Sequence, residues 1–252
     1  MYTSTEGIVF RQVRATGGRR ILTIFSQKYG KISVGTSFSE TNRKTRSSLA
    51  LRPFTYARYE LFKGRDYYDM NGGEVIKSFY GLSEDIDKFA NASFVLELTD
   101  KVLPEGLPEP RLFNVLIDYL AAMERRRVSF DTLTIAYMVK MLDEVGMMPV
   151  LGPCASCGSS DVRFFSVPDG GMVCEDCKSK TSEKLTPDKV SDLIYSPDFD
   201  IVRTISFFRE KPIRTFEKVA LNEHDSEELL KILKNYISYH LDIGKLKSES
   251  IL

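Results

Sequence analysis

Residues 7–34 read GIVFRQVRATGGRRILTIFSQKYGKISV, and this stretch decides how the first third of the chain folds. Three segments within it are short and rich in β-branched or aromatic residues: Gly7-Ile-Val-Phe10, Arg20-Ile-Leu-Thr-Ile-Phe25 and Lys31-Ile-Ser-Val34. Glycine-bearing turns at Gly17-Gly18 and Gly30 separate them, which is the pattern of strand, turn and strand. Downstream, Phe54 to Phe62 alternates in part, with Phe54, Tyr56, Arg58, Glu60 and Phe62 on one face. Gly64-Arg65 ends it, and Tyr67 to Ser78 reads as a fifth strand. Five short strands within about 80 residues suit a small closed barrel, which leaves no edge open to aggregation. Between the third and fourth strands, Ser37 to Ser48 is polar and without apolar periodicity, and a mobile loop is expected there.

The charge follows the same division. The chain has 35 Lys/Arg and 35 Asp/Glu, a formal net charge of zero, but Met1 to Arg65 holds 13 Lys/Arg against only Glu6, Glu40 and Glu60. That segment is therefore about +10 and the remainder about −10, the pattern of a module that meets a polyanion joined to a body that meets other partners. Candidate phosphate contacts are Arg11, Arg14, Arg19, Arg20, Lys28, Lys31, Arg43, Lys44, Arg46 and Arg52. Any one of them alone is an ordinary solvated charge; as a set with few acids nearby they point to nucleic acid. On a barrel of this size outward aromatic rings can stack on bases, and Tyr29, Phe54 and Tyr56 are either such platforms or core. Arg125-Arg126-Arg127 has two readings, a further phosphate contact or a cap for a helix C-terminal dipole.

From Leu82 the period becomes helical. Ser83 is the expected N-cap, followed by Glu84 and Asp85 in the first turn and by a stripe of Ile86, Phe89, Ala90, Phe94 and Leu98. Pro104, Pro108 and Pro110 precede a second helix with Phe113, Leu116, Ile117, Leu120 and Met123. Ser129 or Asp131 opens a third, stopped by Gly146 and Pro149; Thr186-Pro187 starts a later run, and Asp225 to Leu241 forms the last helix. The expected organisation is α+β, in segments 1–81 (barrel), 82–152 (helical), 153–180 (cysteine module) and 181–252 (helical).

All four cysteines lie in the third of these segments. Cys154-Ala-Ser-Cys157 and Cys174-Glu-Asp-Cys177 are two C-x-x-C turns separated by 16 residues. Two such turns supply the four tetrahedral thiolates that zinc accepts at ~2.3 Å, whereas a disulfide scaffold needs more cysteines than this length contains. Gly158 and Gly170-Gly171 permit tight knuckle backbone, and Phe164-Phe-Ser-Val167 reads as a strand between them. A structural zinc ribbon holding Zn2+ is expected, with redox or buried thiols as the alternatives. A catalytic zinc is not: the deaminase signature needs His-x-Glu upstream, and the only histidines, His224 and His240, lie downstream.

Other negatives narrow the field. Hydrophobic residues make up 42% of the chain and charged residues 28%, ordinary for a soluble globular protein. No apolar run approaches the ~20 residues that span a bilayer, and no signal peptide is visible, so a cytoplasmic protein is expected. There is no G-x-x-x-x-G-K-[ST], and no catalytic constellation, so binding rather than an enzymatic reaction is expected. From these residues alone, an RNA- or ribosome-binding zinc-ribbon protein fits almost as well as a DNA-binding one.

Taken in order, a series of segments resembles the RecO family of bacterial recombination mediators. They are Gly7-Ile-Val-Phe-Arg11, Ile21-Leu-Thr-Ile-Phe25 with Tyr29-Gly-Lys-Ile32, Leu51-Arg-Pro-Phe54, Glu60-Leu-Phe-Lys-Gly64, Pro153-Cys-Ala-Ser-Cys-Gly158, Gly170-Gly-Met-Val-Cys174 and His240-Leu-Asp-Ile-Gly-Lys-Leu-Lys-Ser248. The resemblance spans nearly the whole chain. It implies an N-terminal OB-fold, a helical domain and an inserted zinc module. It also implies binding to single- and double-stranded DNA, strand annealing, contact with single-stranded DNA-binding protein, and work with RecR in loading RecA onto gapped DNA.

Overall fold

The computed structural model describes residues 1–15, 19–37, 46–65 and 67–250, the side chains of residues 46 and 47 excepted. It is a mixed α+β protein, strands first and helices after. The opening strand, β1 (Tyr2–Arg14), is long enough to serve two neighbours: β2 (Arg20–Ser26) along its second half and β4 (Thr55–Lys63) along its first. Both ladders meet at Gly7, which pairs with Ser26 on one side and Ala57 on the other. A Cβ on Gly7 would stand 2.8 Å from Ile24 Cγ2 and 2.9 Å from the Phe25 carbonyl oxygen, so only glycine lets the strands approach this closely. A bulge between Val9 and Arg11 bends the strand just beyond, as a strand shared between two ladders requires.

With β3 (Gly30–Thr36) and β5 (Tyr68–Ser78) the sheet closes into a barrel in the order β1-β2-β3-β5-β4. All neighbours are antiparallel except β3 and β5, which run parallel through Val34 to Tyr68 and Gly35 to Asp69. The two-residue period sets the inner face, with Ile32 and Val34 from β3 and Ala57, Tyr59 and Leu61 from β4. The alternating set Tyr56, Arg58, Glu60 and Phe62 is thus the outer face of β4. A 3-10 turn, Arg46–Leu51, buries Ala50 and Leu51 against the barrel core, and the Tyr59 hydroxyl donates to the Ala50 carbonyl at 2.8 Å. The end of the stretch expected as a mobile loop is therefore ordered by apolar burial; residues 38–45 lie outside the described residues.

Two helices pack on this barrel. In α1 (Ile86–Val102) the N-cap is Asp85, whose carboxylate accepts from the amides of Asp87 and Lys88, and not Ser83. Ser83 sits one turn earlier, in a 3-10 turn, with its hydroxyl donating to the Tyr80 carbonyl. Ile86 accordingly falls outside the buried stripe and is 74% exposed. Phe89 of α1 meets Phe54 edge-on, and Phe113 of α2 (Pro110–Arg125) meets Phe25 and Tyr56 edge-on at 5.3 and 5.9 Å. Those contacts explain why the chain divides into compact units at Met1–Arg125 with Ser248–Leu252, and Arg126–Lys247. The division differs from the four segments expected from the sequence, because the first two helices are anchored to the barrel by aromatic packing.

The second unit is built on α3 (Phe130–Glu144), which is buried almost all round from Thr132 to Val139 and packs on α6 (Ile201–Glu210) and α7 (Glu223–His240). Its remaining elements are the hairpin β6 (Phe164–Ser166) and β7 (Gly171–Val173), the short β8 (Ile194–Tyr195), α4 (Glu175–Ser182) and α5 (Pro187–Leu193). Arg126 is 5% exposed at the head of this unit. Its Nε donates to the carbonyls of Val128 and Ser129, Nη2 to Val219 at 2.9 Å and Nη1 to Phe216. Neither sequence reading of Arg126 holds, since its guanidinium is consumed inside the fold. Among the described residues no helix is long and apolar enough to cross a membrane.

Candidate metal centre and nucleic-acid interface

The second unit carries the four cysteines. Cys154 and Cys157 flank a turn in which the Gly158 amide donates back to the Cys154 carbonyl at 2.9 Å, with Gly158 at φ 80°. Cys174 caps α4 and Cys177 lies in its first turn. The β6–β7 hairpin joins the two halves, and Ala155 N donates to the Met172 carbonyl at 2.8 Å. Gly171 is required where this hairpin meets Val150, because a Cβ there would lie 2.3 Å from the Val150 carbonyl oxygen.

All four Sγ atoms fall within 4.8 Å of one another, and Cys157 Sγ is 3.7 Å from Cys174 Sγ. A tetrahedron of sulfurs at ~2.3 Å from a central ion has edges of about 3.8 Å, so the donor set fits a zinc-sized cation. A disulfide would require ~2.05 Å, and all four are free thiols. Two of the thiols are pushed in opposite directions. Burial pushes the Cys154 thiol up, but donors including the Cys174, Cys157 and Ser156 amides outweigh it and hold it at about 6. Cys177 is pushed up to about 12 by the Cys157 sulfur, burial and the other two sulfurs. The Cys154 sulfur thus works against ionisation of Cys177, and a bound cation would relieve that opposition.

A single carboxylate ties the module together. Asp169 Oδ1 accepts from Ser156 Oγ at 2.6 Å, and Oδ2 accepts from Ser166 Oγ at 2.5 Å and Thr181 Oγ1 at 2.8 Å. Ser156 lies inside the first C-x-x-C, Ser166 in β6 and Thr181 in α4, so one side chain holds three segments that surround the sulfurs. Spacing in the sequence gives no sign of this residue.

The first unit carries the basic set, and the structure sorts it. Lys31 is largely withdrawn: its Nζ donates to the Asp100 carbonyl at 2.6 Å and lies 3.5 Å from the Asp100 carboxylate, with the side chain 14% exposed. Arg11 meets the same carboxylate at 3.2 Å but remains 61% exposed. Lys28 rests beside the Tyr29 ring, while Arg14 and Arg52 are exposed. Arg43 and Lys44 lie outside the described residues, as does the side chain of Arg46.

Arg19 and Arg20 come together differently. They line a groove of about 600 Å³ at one end of the barrel, between the β1–β2 turn and the β4–β5 turn. Ser33, Gly35, Tyr67, Tyr68 and Asp69 also line it. Arg19 Nη2 donates to Asp69 Oδ1 at 2.6 Å, and Arg20 Nη1 to Gln12 Oε1 at 3.0 Å. The aromatic candidates fall on the other side of the ledger: Phe54 is buried, and Tyr29 and Tyr56 are half-buried. The Tyr56 hydroxyl donates to Glu6, and burial, then that bond, push it up to about 12. The sequence reading did not single out Tyr67, since residues on a short β4–β5 turn have no periodicity to mark them.

A five-stranded barrel with a basic groove, followed by a helical unit that carries a four-cysteine cluster, has the layout of a binding protein. The chain belongs to the Recombination protein O family: the N-terminal family model matches residues 1–79 and the C-terminal model residues 83–250. It is 33% identical over 246 residues to the DNA repair protein RecO of Alkaliphilus metalliredigens, covering 96% of this chain and 95% of that one. The RecO proteins of Caldanaerobacter subterraneus (28% over 243 residues, 96% and 94% covered) and Halalkalibacterium halodurans (31% over 211 residues, 82% of each) are similar too. These relatives are named for DNA repair and not for a catalysed reaction.

Proposed function

We propose that this protein is a DNA-binding recombination mediator that anneals complementary strands during recombinational repair. The observation that carries the reading is the groove in which Arg19 and Arg20 meet Tyr67 and Tyr68 between the β1–β2 and β4–β5 turns. In OB-folds these two turns frame the ligand face, and the closed order with β3 and β5 parallel supports that fold here. Cations in and around the groove would neutralise phosphates on two strands and lower their repulsion, so that bases can pair. Arg14, paired with Arg20 across the β1–β2 ladder, extends that surface; Arg11 and Lys31 divide their charge with Asp100.

Cys154, Cys157, Cys174 and Cys177 would hold Zn2+, whose closed shell of four thiolates cross-links the module and leaves no position for a reacting water. Family membership supports the remaining roles: single- and double-stranded DNA as ligands, contact with single-stranded DNA-binding protein, and cooperation with RecR in loading RecA.

Annealing of two complementary oligonucleotides over a salt series tests the reading, comparing wild type with Arg19→Glu/Arg20→Glu. Annealing that fades with salt and with the double reversal is expected. A folded protein that accelerates annealing equally in both forms, or in neither, overturns it.

A further inference from the structure

Beside the groove, three aromatic rings form a row on the outer face of the barrel. Tyr2 pairs with Phe62 across the β1–β4 ladder, where their rings meet edge-on at 5.4 Å. Phe62 in turn lies 6.4 Å from Tyr67 on the β4–β5 turn. The turn is closed by the Gly64 amide donating to the Tyr67 carbonyl at 2.9 Å. A Cβ on Gly64 would stand 2.4 Å from Tyr67 Cε1, so the glycine is what lets the ring lie down beside the strand end. Tyr2 is 76% exposed and Tyr67 54%, which is far from the usual state of large rings on a barrel wall.

What covers such a row is indicated by its surroundings. Lys63 ends β4 and Arg65 lies on the turn after it, and Tyr67 also lines the groove that holds Arg19 and Arg20. Among the acids of this stretch, Asp69 is engaged by Arg19 and Glu60 lies on the β4 face, while Asp66, between Arg65 and Tyr67 in sequence, falls outside the described residues. An apolar protein segment would leave the charges around the row unmet, whereas a nucleic-acid strand offers flat bases to the rings and phosphates to the cations. A duplex keeps its bases stacked and paired and cannot present them.

We propose that Tyr2, Phe62 and Tyr67 are a stacking row for the unpaired bases of a single strand, which makes this barrel favour single-stranded over duplex DNA. The proposal rests on the nucleic-acid reading of the same barrel and adds to it which form of the polymer is engaged and through which rings. A strand held by its bases on one side leaves the phosphates free to reach the arginine-lined groove.

The test is fluorescence anisotropy on a labelled oligothymidine, a strand of the same length made abasic, and a duplex, with wild type, Tyr2→Ala/Tyr67→Ala and Tyr2→Phe/Tyr67→Phe. Wild type and the phenylalanine variant are expected to bind the base-bearing strand roughly 10-fold more tightly than the abasic one. The alanine variant should lose that preference, its affinity for the base-bearing strand falling to about that for the abasic one. A preference kept by the alanine variant, or missing in wild type, overturns the stacking row. Wild type that binds none of the three probes overturns the nucleic-acid reading beneath it.

Discussion

Arg19 and Asp69 face each other across the mouth of the barrel groove, Nη2 to Oδ1 at 2.6 Å, and Gly35 makes the room for them. A Cβ on Gly35 would lie 2.8 Å from the same carboxylate oxygen. The pair holds one of the groove's two arginines against the protein's own acid, so the carboxylate competes with a phosphate for the guanidinium.

Replacing that acid should therefore strengthen binding. Asp69→Asn is expected to raise affinity for DNA about two- to fivefold at low salt and to steepen the salt dependence by up to about one unit of log–log slope. The side chains are 57% and 35% exposed, so loss of the pair should change folding stability by less than about 1 kcal/mol. Anisotropy titrations at several salt concentrations, with a thermal melt as control, measure both. Unchanged or weaker binding would place the phosphate path away from Arg19.

Asp169 ties three segments of the cysteine module together through hydroxyl donors. Asp169→Ala leaves the hydroxyls of Ser156, Ser166 and Thr181 without their shared acceptor, and Asp169→Asn can replace only part of it. Zinc affinity, read by competition with a chromophoric chelator, should fall about 10- to 100-fold for the alanine variant and less for asparagine. Burial raises the Asp169 pKa, but the three hydroxyl donors outweigh it and hold the group below the ordinary 3.8. A lowered carboxylate stabilises the fold above its unfolded pKa and loses that contribution only as pH falls through the folded value. The clamp should thus be intact at neutral pH and fail only in acid below the ordinary carboxylate range. Metal release on mild acidification would then report the thiolates, which must stay deprotonated to ligate.

Arg126 is a buried cation satisfied by carbonyl oxygens instead of a carboxylate. One of its acceptors belongs to Ser129, which sits in the left-handed region at φ 53°, and two belong to the chain near Phe216 and Val219. Lysine offers three donors from one point and cannot span these directions. Arg126→Lys should cost about 2–4 kcal/mol in a denaturant melt, and Arg126→Ala at least as much, because several buried carbonyls lose their partner. DNA binding per folded molecule should be unchanged, in contrast to the loss expected had Arg126 met phosphate.

Much of the fold is legible because its signals are local. The alternation around Ile32-Ser-Val34 and the glycines at Gly30 and Gly158 state their conformations within a few residues. Helix starts are less legible: Ser83 and Asp85 are both good caps, and the choice falls to Asp85 because residues 80–84 form a 3-10 turn first. The aromatic positions invert for a similar reason. Tyr56, open to either reading in the sequence, leans on Phe113 and Glu6, while Tyr2 and Tyr67, at a strand start and on a turn, lie in the open.

What the amino-acid order determined by itself is the pair of C-x-x-C turns and the residue types that can bind a cation there, since each turn is closed by bonds within five residues. It also determined the basic character of the first 65 residues, which depends on composition alone. Only the tertiary structure decided which of those cations are held by the protein's own acids. Arg11 and Lys31 meet Asp100 from 89 and 69 residues away, and Arg19 meets Asp69 from 50. A charge acts through whatever lies within a few ångströms of it, and in a closed barrel those neighbours are brought together by strand pairing from distant parts of the chain.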